Sequence, residues 1–181
     1  MFVGRERELE SLQRLYASNS FQFGVVYGRR RVGKTKLLRQ FTADKPDVFF
    51  FTAHETTLSE NLDLLSRELA KTTPDDQPTS YPVFRTLTEA FDEVFRRAAS
   101  KRLVFVIDEY PYLAQSDPGA SSALQALIDA NQEDSKLLLI LCGSSMTFME
   151  HQVLGKQSPL YGRRTAQLRI DPFTLFDAAK M

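Results

Sequence analysis

One eight-residue stretch of the sequence has the residue types and the spacing of a phosphate-binding loop. It consists of Gly28, Arg29, Arg30, Arg31, Val32, Gly33, Lys34 and Thr35. Glycines permit backbone angles that a Cβ would forbid, so a loop of this kind turns its N–H groups inward around a phosphate. Lys34 would place its charge on the β- and γ-phosphates of a nucleotide, and the Thr35 hydroxyl would ligate Mg²⁺. We therefore expect these residues to bind a nucleotide and its metal ion.

The segments on either side of this loop follow the order strand, loop and helix, which a P-loop requires. A short apolar run over residues 23–27 predicts the strand, and helical spacing over residues 36–41 predicts the helix. The first turn of that helix adds unpaired N–H groups and a positive dipole end to the site. The three loop arginines have two open interpretations. In the first they contact phosphates or a partner, and in the second they are solvated charges on the surface of the loop.

A pair of acidic residues forms a second motif later in the chain. The apolar run over residues 103–107 ends in Asp108 and Glu109, which is the pattern of a Walker B strand. We expect Asp108 to hold Mg²⁺ through water, opposite Thr35. A carboxylate one residue past the metal ligand can polarise a water for in-line attack on the γ-phosphate, and Glu109 has that position. Because a small-molecule kinase needs no such group, Glu109 favours hydrolysis.

Three apolar runs without alternation predict strands that are covered on both faces, at residues 48–52, 103–107 and 137–141. Helical patterns occur between and beside them, at residues 6–16, 58–69 and 83–99. A fourth helix is predicted to begin at a capping box formed by Ser122 and Gln125 and to end at about residue 131. Strands that alternate with helices predict an α/β fold with a central parallel sheet sandwiched by helices. In such a sheet the chemistry lies at the carboxyl ends of the strands, where both motifs are found.

Composition limits the classes of protein that fit. The 181 residues carry equal numbers of basic and acidic side chains, so the chain lacks the net positive charge that would indicate a nucleic-acid partner. The single cysteine, Cys142, excludes an internal disulfide and fits a reducing compartment. No apolar run approaches the ~20 residues of a membrane span, and the N-terminus lacks a signal peptide. We therefore predict a cytoplasmic protein without a membrane partner.

Two further segments, together with the two motifs, carry a resemblance to a known family. They are Phe2-Val3-Gly4-Arg5-Glu6 near the start and Ser158-Pro159-Leu160-Tyr161-Gly162-Arg163-Arg164-Thr165 near the end. Through essentially all 181 residues the chain resembles the prokaryotic AAA-related P-loop ATPases called the archaeal ATPase family. The resemblance implies a P-loop core of the additional-strand (ASCE) type, which binds ATP with Mg²⁺ and hydrolyses it to ADP and phosphate.

The resemblance also implies a domain organisation. Family members commonly carry a helical lid and then a winged-helix or nuclease-like region. The chain reaches Met181 about where the lid would begin. We therefore expect residues 1–181 to form a single ATPase core without the C-terminal lid and effector domain, and we expect no nucleic-acid partner for this core alone.

The resemblance assigns candidate roles to residues outside the two motifs. Ser144 or Ser145 stands where a sensor side chain would touch the γ-phosphate or the attacking water. A typical AAA protein has Asn there, so a helix cap after Gly143 is an equal alternative. Phe2 and Val3 line the adenine site or pack into the core.

The two arginines near the end of the chain are candidates for an arginine finger. Arg163 and Arg164 occupy the region that supplies this guanidinium, which neutralises charge developing in phosphoryl transfer. If the finger acts in trans, activity depends on contact between subunits of a homo-oligomer. The alternative is an exposed basic pair without a catalytic role.

Two other functions use the same motifs. The chain could be a nucleotide-gated regulatory switch, related to signal-transduction ATPases, in which bound ATP sets a conformation and hydrolysis is a slow reset. A P-loop kinase is the third hypothesis, and it requires transfer of phosphate to an acceptor with Glu109 dispensable.

Overall fold

A parallel sheet forms the centre of the molecule, as seen in a computed structural model that describes residues 4–72 and 76–172. In this part of the chain the strands are β1 Gln22–Tyr27, β2 Val48–Thr52, β3 Leu103–Asp108, β4 Leu137–Gly143 and β5 Ala166–Arg169. They lie in the order β2-β3-β4-β1-β5, and every neighbouring pair is parallel. Strand β4 therefore lies between β1 and β3, which confirms the predicted additional-strand arrangement.

Helices cover both faces of this sheet. They are α1 Glu6–Ala17, α2 Lys34–Thr42, α3 Leu58–Ala70, α4 Leu87–Ala98, α5 Tyr110–Ser116, α6 Ala120–Asn131 and α7 Met146–Phe148, the last followed by a π-helical turn Met149–Val153. None of the helices in the described part of the chain is both long and apolar enough to span a bilayer.

The core consists of two apolar layers, one on each face of the sheet. Along β3, Phe105 and Ile107 lie in the layer beneath α3, α4 and α6, whereas Val104 and Val106 lie in the layer beneath α1 and α2. Successive side chains of a strand point to opposite faces, so a strand buried on both faces is apolar at every position. This is why the three strands could be predicted from continuous apolar runs.

Two helix starts differ from the prediction. Helix α4 begins at Leu87 rather than at residue 83, because Thr86 caps it by accepting a hydrogen bond from the Glu89 amide at 3.1 Å. Helix α6 begins at Ala120, so Ser122 lies inside it and the predicted capping box is wrong. There the Asp117 side chain accepts instead from the Gly119 amide, one residue before the helix.

Arg5 links three separate segments at the carboxyl edge of the sheet. It lies just before α1 and is 7% exposed. Its guanidinium donates to the Val32 carbonyl at 3.2 Å, to the Asp171 carbonyl at 2.5 Å and to the Glu8 carboxylate at 3.0 Å. The start of α1, the glycine-rich loop and the segment after β5 are thereby held together by charge-assisted hydrogen bonds.

Arg5→Ala should lower the free energy of unfolding by about 1.5–3 kcal/mol, because it leaves the buried Val32 carbonyl without its charged donor and removes the link to Asp171. Urea unfolding measures this change. Arg7→Ala is the matched control, since Arg7 is exposed in the first turn of α1 and its loss should cost less than about 0.5 kcal/mol. Equal effects of the two substitutions would contradict the linking role of Arg5.

Candidate functional site

The glycine-rich loop connects β1 to α2 at the carboxyl edge of the sheet. Its first glycine, Gly28, lies against Ile170, the residue after β5, and a Cβ there would stand 2.1 Å from the Ile170 carbonyl oxygen. Its second, Gly33, precedes α2 with a left-handed φ of 90°, and Arg31 is also left-handed with a φ of 65°. The first glycine is therefore required by a close backbone approach and the second by its backbone angle.

Lys34 is the first residue of α2, and its side chain folds back over the loop. The side chain is buried, with 5% of the residue exposed, and its amino group donates to the Gly28 carbonyl at 2.9 Å and to the Arg29 carbonyl at 2.8 Å. The ammonium charge is thus held at the helix N-terminus, where the dipole and the backbone N–H groups of the first turn also favour an anion.

Thr35 and Asp108 meet although they belong to different motifs. The Thr35 hydroxyl donates to Asp108 Oδ2 at 2.7 Å, and Asp108 is 1% exposed at the end of β3. The second carboxylate oxygen of Asp108 accepts from the Glu109 amide at 3.0 Å. A hydroxyl and a carboxylate side by side are a donor set that fits Mg²⁺, which binds one or two protein oxygens and completes its shell with water and phosphate.

Glu109 is held by the serine that follows the neighbouring strand. Its backbone is left-handed, with φ 53° and ψ 42°, and its carboxylate accepts from the Ser144 hydroxyl at 2.5 Å and from the Ser144 amide at 3.4 Å. Ser145 has a different role, because its hydroxyl accepts from the Phe148 amide at 3.4 Å and caps α7. The cap interpretation therefore applies to Ser145, and Ser144 contacts the acidic residue.

These side chains surround a pocket of about 310 Å³, a volume in the range of ligand sites. Its lining is Arg30, Arg31, Gly33, Lys34, Thr35, Glu109, Tyr112 and Ser144. Two hollows beside α3, of about 570 and 600 Å³, are larger, but neither is lined by a glycine-rich loop or by a lysine. The smaller pocket is therefore the better candidate for an anionic ligand.

Sequence analysis missed one residue of this lining, Tyr112 on α5. Its hydroxyl accepts a hydrogen bond from the Arg30 guanidinium at 2.8 Å. No local pattern of the sequence points to it, because the helix that carries it has only seven residues and was not predicted. The Arg29 side chain is exposed and does not line the pocket, and Val32 is 8% exposed in the core. The predicted adenine-site residues Phe2 and Val3 lie outside the described residues.

Arg163 and Arg164 lie away from this pocket. They precede β5, whose first residue, Ala166, pairs with Gly24 near the start of β1, whereas the glycine-rich loop follows the end of β1. Arg163 binds both oxygens of Asp129 on α6, each at 2.7 Å. Within residues 4–72 and 76–172, no hydrogen bond or ion pair involves the half-buried Arg164 side chain. Neither arginine is brought to the pocket of its own chain.

Comparison with known proteins identifies the family. The sequence profile described as "ATPase domain predominantly from Archaea" matches residues 2–181. An uncharacterized protein of Methanocaldococcus jannaschii, MJECL04, is 34% identical over 95% of this chain and 36% of its own length. The uncharacterized ATP-binding protein MJ0423 of the same organism is 49% identical over 25% of this chain and 76% of its own length.

Solved structures share the fold. The Walker-type ATPase PABY2304 of Pyrococcus abyssi has a TM-score of 0.70 and 22% identity, over 99% of this chain and 56% of that one. The Orc1 protein of Aeropyrum pernix, in complex with DNA, has a TM-score of 0.64 and 20% identity, over 99% of this chain and 48% of that one. The chain thus spans about half the length of these structures and about a third of MJECL04. The resemblance inferred from sequence and the predicted P-loop fold are both confirmed.

The ion pair between Arg163 and Asp129 should make a small contribution to stability that depends on pH. Hydrogen bonds from Arg163 hold the pKa of the Asp129 carboxyl below its ordinary value. A carboxyl of this kind contributes stability above its unfolded pKa of about 3.9 and loses it as the pH falls through the lower folded value. Arg163→Ala should therefore lower the free energy of unfolding at neutral pH, by less than about 1 kcal/mol because water reaches both side chains.

Urea unfolding at pH 7 and near pH 3 measures this dependence. The difference between wild type and Arg163→Ala should shrink at the lower pH, and Asp129→Asn should reproduce the part of the loss that depends on pH. A difference that is equal at both pH values would show that the ion pair does not stabilise the fold.

Proposed function

This chain belongs to the family of ATPase domains found predominantly in archaea, and from that premise we propose that it binds ATP with Mg²⁺ and hydrolyses it to ADP and phosphate. The observation that supports the proposal most is the 2.7 Å hydrogen bond between Thr35 and Asp108. It joins the loop that binds phosphate to the strand end that carries the acidic pair. The proposal takes residues 1–181 as one core domain and places it in the cytoplasm, where ATP and Mg²⁺ are supplied.

Phosphate binding would use the loop amides, the N-terminus of α2 and Lys34. The Lys34 amino group would exchange its two carbonyl acceptors for phosphate oxygens, at a place where it is already desolvated and oriented. The Thr35 hydroxyl and, through water, the Asp108 carboxylate would hold Mg²⁺. The bound ion would supply neutralisation of charge on the phosphate oxygens.

Glu109 would act as the base for the attacking water. Its carboxylate would take the proton as the water oxygen bonds to the γ-phosphorus and the bond to the β–γ bridging oxygen breaks. The hydroxyl and the amide of Ser144 fix the carboxylate that would do this. Ser144 would therefore orient the base, and we retain contact with the γ-phosphate as its second proposed role.

Arg164 is the better of the two candidates for the arginine finger. Arg163 is bound by Asp129 and by two backbone carbonyls, those of Pro159 and Tyr161, so moving it would break four hydrogen bonds. Because both arginines precede β5 and the pocket lies beyond the end of β1, a finger from this region would act on a neighbouring subunit. We propose a homo-oligomer in which Arg164 completes the adjacent site.

Glu109→Gln should keep the affinity for ATP and lower the turnover rate by about 100-fold or more, because the amide cannot accept the proton. Calorimetry measures the affinity and phosphate release measures the turnover. Glu133→Gln, an exposed substitution away from the pocket, is the control and should behave as wild type. Full activity of the Glu109 variant would remove the base from the mechanism.

The same assays separate hydrolysis from the alternative of a nucleotide-gated regulatory switch. An enzyme predicts steady release of phosphate by the wild-type protein at saturating ATP. A switch predicts tightly bound ADP together with negligible turnover. Transfer of phosphate to an added acceptor, with Glu109 dispensable, would instead favour a kinase.

A mixing experiment tests the finger in trans. Glu109→Gln and Arg164→Ala should each be inactive alone. Mixed together, they should regain measurable turnover, because a mixed interface can combine an intact Glu109 from one subunit with an intact Arg164 from the next. Arg163→Ala should retain activity. A mixture as inactive as its components, or an active Arg164→Ala, would exclude the finger.

A further inference from the structure

A hydrogen bond crosses the mouth of the candidate nucleotide pocket and belongs to neither motif. It joins the guanidinium of Arg30, in the glycine-rich loop, to the hydroxyl of Tyr112 on α5, at 2.8 Å. Both side chains line the pocket, which lies between the loop and α5. Arg30 is exposed and Tyr112 is half-buried, so the bond forms at the solvent side of the pocket.

The position of Tyr112 defines which end of the pocket this bond covers. Tyr112 lies three residues after Glu109, and its amide donates to the Glu109 carbonyl at 3.0 Å. The two side chains therefore project from the same turn at the start of α5. Since Glu109 is the proposed base for attack on the γ-phosphate, the Arg30–Tyr112 bond lies at the γ-phosphate end rather than at the nucleoside end.

The chemistry of a guanidinium suits this position. Arginine is charged at every physiological pH and has five N–H donors, and the bond to Tyr112 uses one of them. The remaining donors can bind a phosphate oxygen while the hydroxyl keeps the guanidinium in place. A triphosphate has a γ-phosphate that would reach this end of the pocket, and a diphosphate does not. A cation here would therefore strengthen binding of the triphosphate alone.

We propose that Arg30, positioned by the Tyr112 hydroxyl, binds the γ-phosphate and makes this site prefer a nucleoside triphosphate over the diphosphate. The inference rests on the proposed function, because it assumes that the pocket holds a nucleotide. The inference gives Arg30 a role that the other two loop arginines lack, since among the described loop arginines only Arg30 is hydrogen-bonded to the opposite wall of the pocket. Arg30 is then a specificity-determining residue, and Tyr112 is a positioning residue.

The test compares two dissociation constants in each variant. Calorimetry with Mg²⁺ measures binding of ADP and of an ATP analogue with a non-hydrolysable β,γ-imido bridge. Arg30→Ala should weaken binding of the analogue by about 10- to 100-fold, the range for a hydrogen bond to a charged group, and leave ADP binding within about twofold. Arg85→Ala, which removes an exposed arginine outside the pocket, should leave both constants unchanged.

Two milder variants keep the test independent of folding. Tyr112→Phe should weaken binding of the analogue by less than Arg30→Ala does, with ADP binding unchanged, because Arg30 remains but is no longer held. Arg30→Lys should also fall between wild type and Arg30→Ala, since the charge remains and the planar fork is lost. Urea unfolding of each variant verifies that it is folded.

The outcomes separate this inference from the proposed function. If the wild-type protein binds both nucleotides and the ratio of the two constants is the same in Arg30→Ala, the inference is wrong and the proposed function stands. If Arg30→Ala weakens ADP and the analogue equally, Arg30 supports the loop and does not select the γ-phosphate. If the wild-type protein binds neither nucleotide, both proposals fail.

Discussion

The hydrogen bond between Thr35 and Asp108 is the contact on which the arrangement of the site depends. Strand β4 separates the two strands that carry the motifs, so their ends lie roughly 10 Å apart across the sheet. The bond closes this gap at the end of β4, beside Cys142. Burial and the nearby Asp108 carboxylate raise the pKa of the Cys142 thiol, which therefore stays neutral beneath the acidic pair.

The polar groups of the site are already paired with one another before a ligand is considered. Lys34 contacts backbone carbonyls, Glu109 contacts Ser144, and Arg30 contacts Tyr112. Each of these hydrogen bonds restricts the orientation of a side chain in the pocket. A phosphate ligand would replace the two carbonyl contacts of Lys34 with stronger ones to an anion and would leave the other two bonds in place, so preorganisation accounts for much of what the site could do.

Sequence and structure agree where the information is local. The buried strands and the glycine-rich loop were predictable because apolar runs and glycine spacing are patterns of neighbouring residues in the sequence. Helix α5 was not predicted, since it is only seven residues long. It also follows Glu109, whose left-handed backbone conformation is not indicated by any local sequence pattern. The contacts of Arg30 with Tyr112 and of Arg163 with Asp129 join residues far apart in the chain, so only the folded structure could reveal them.

We propose that Thr35 and Asp108 together hold Mg²⁺ on a bound nucleotide. The most direct test of this proposal is the affinity for ATP with Mg²⁺ and with EDTA, measured by calorimetry for the wild-type protein and for Asp108→Asn. Mg²⁺ should strengthen binding to the wild-type protein, and this gain should be largely lost in the variant. Binding that is indifferent to Mg²⁺, or a gain that is equal in both proteins, would contradict the proposal.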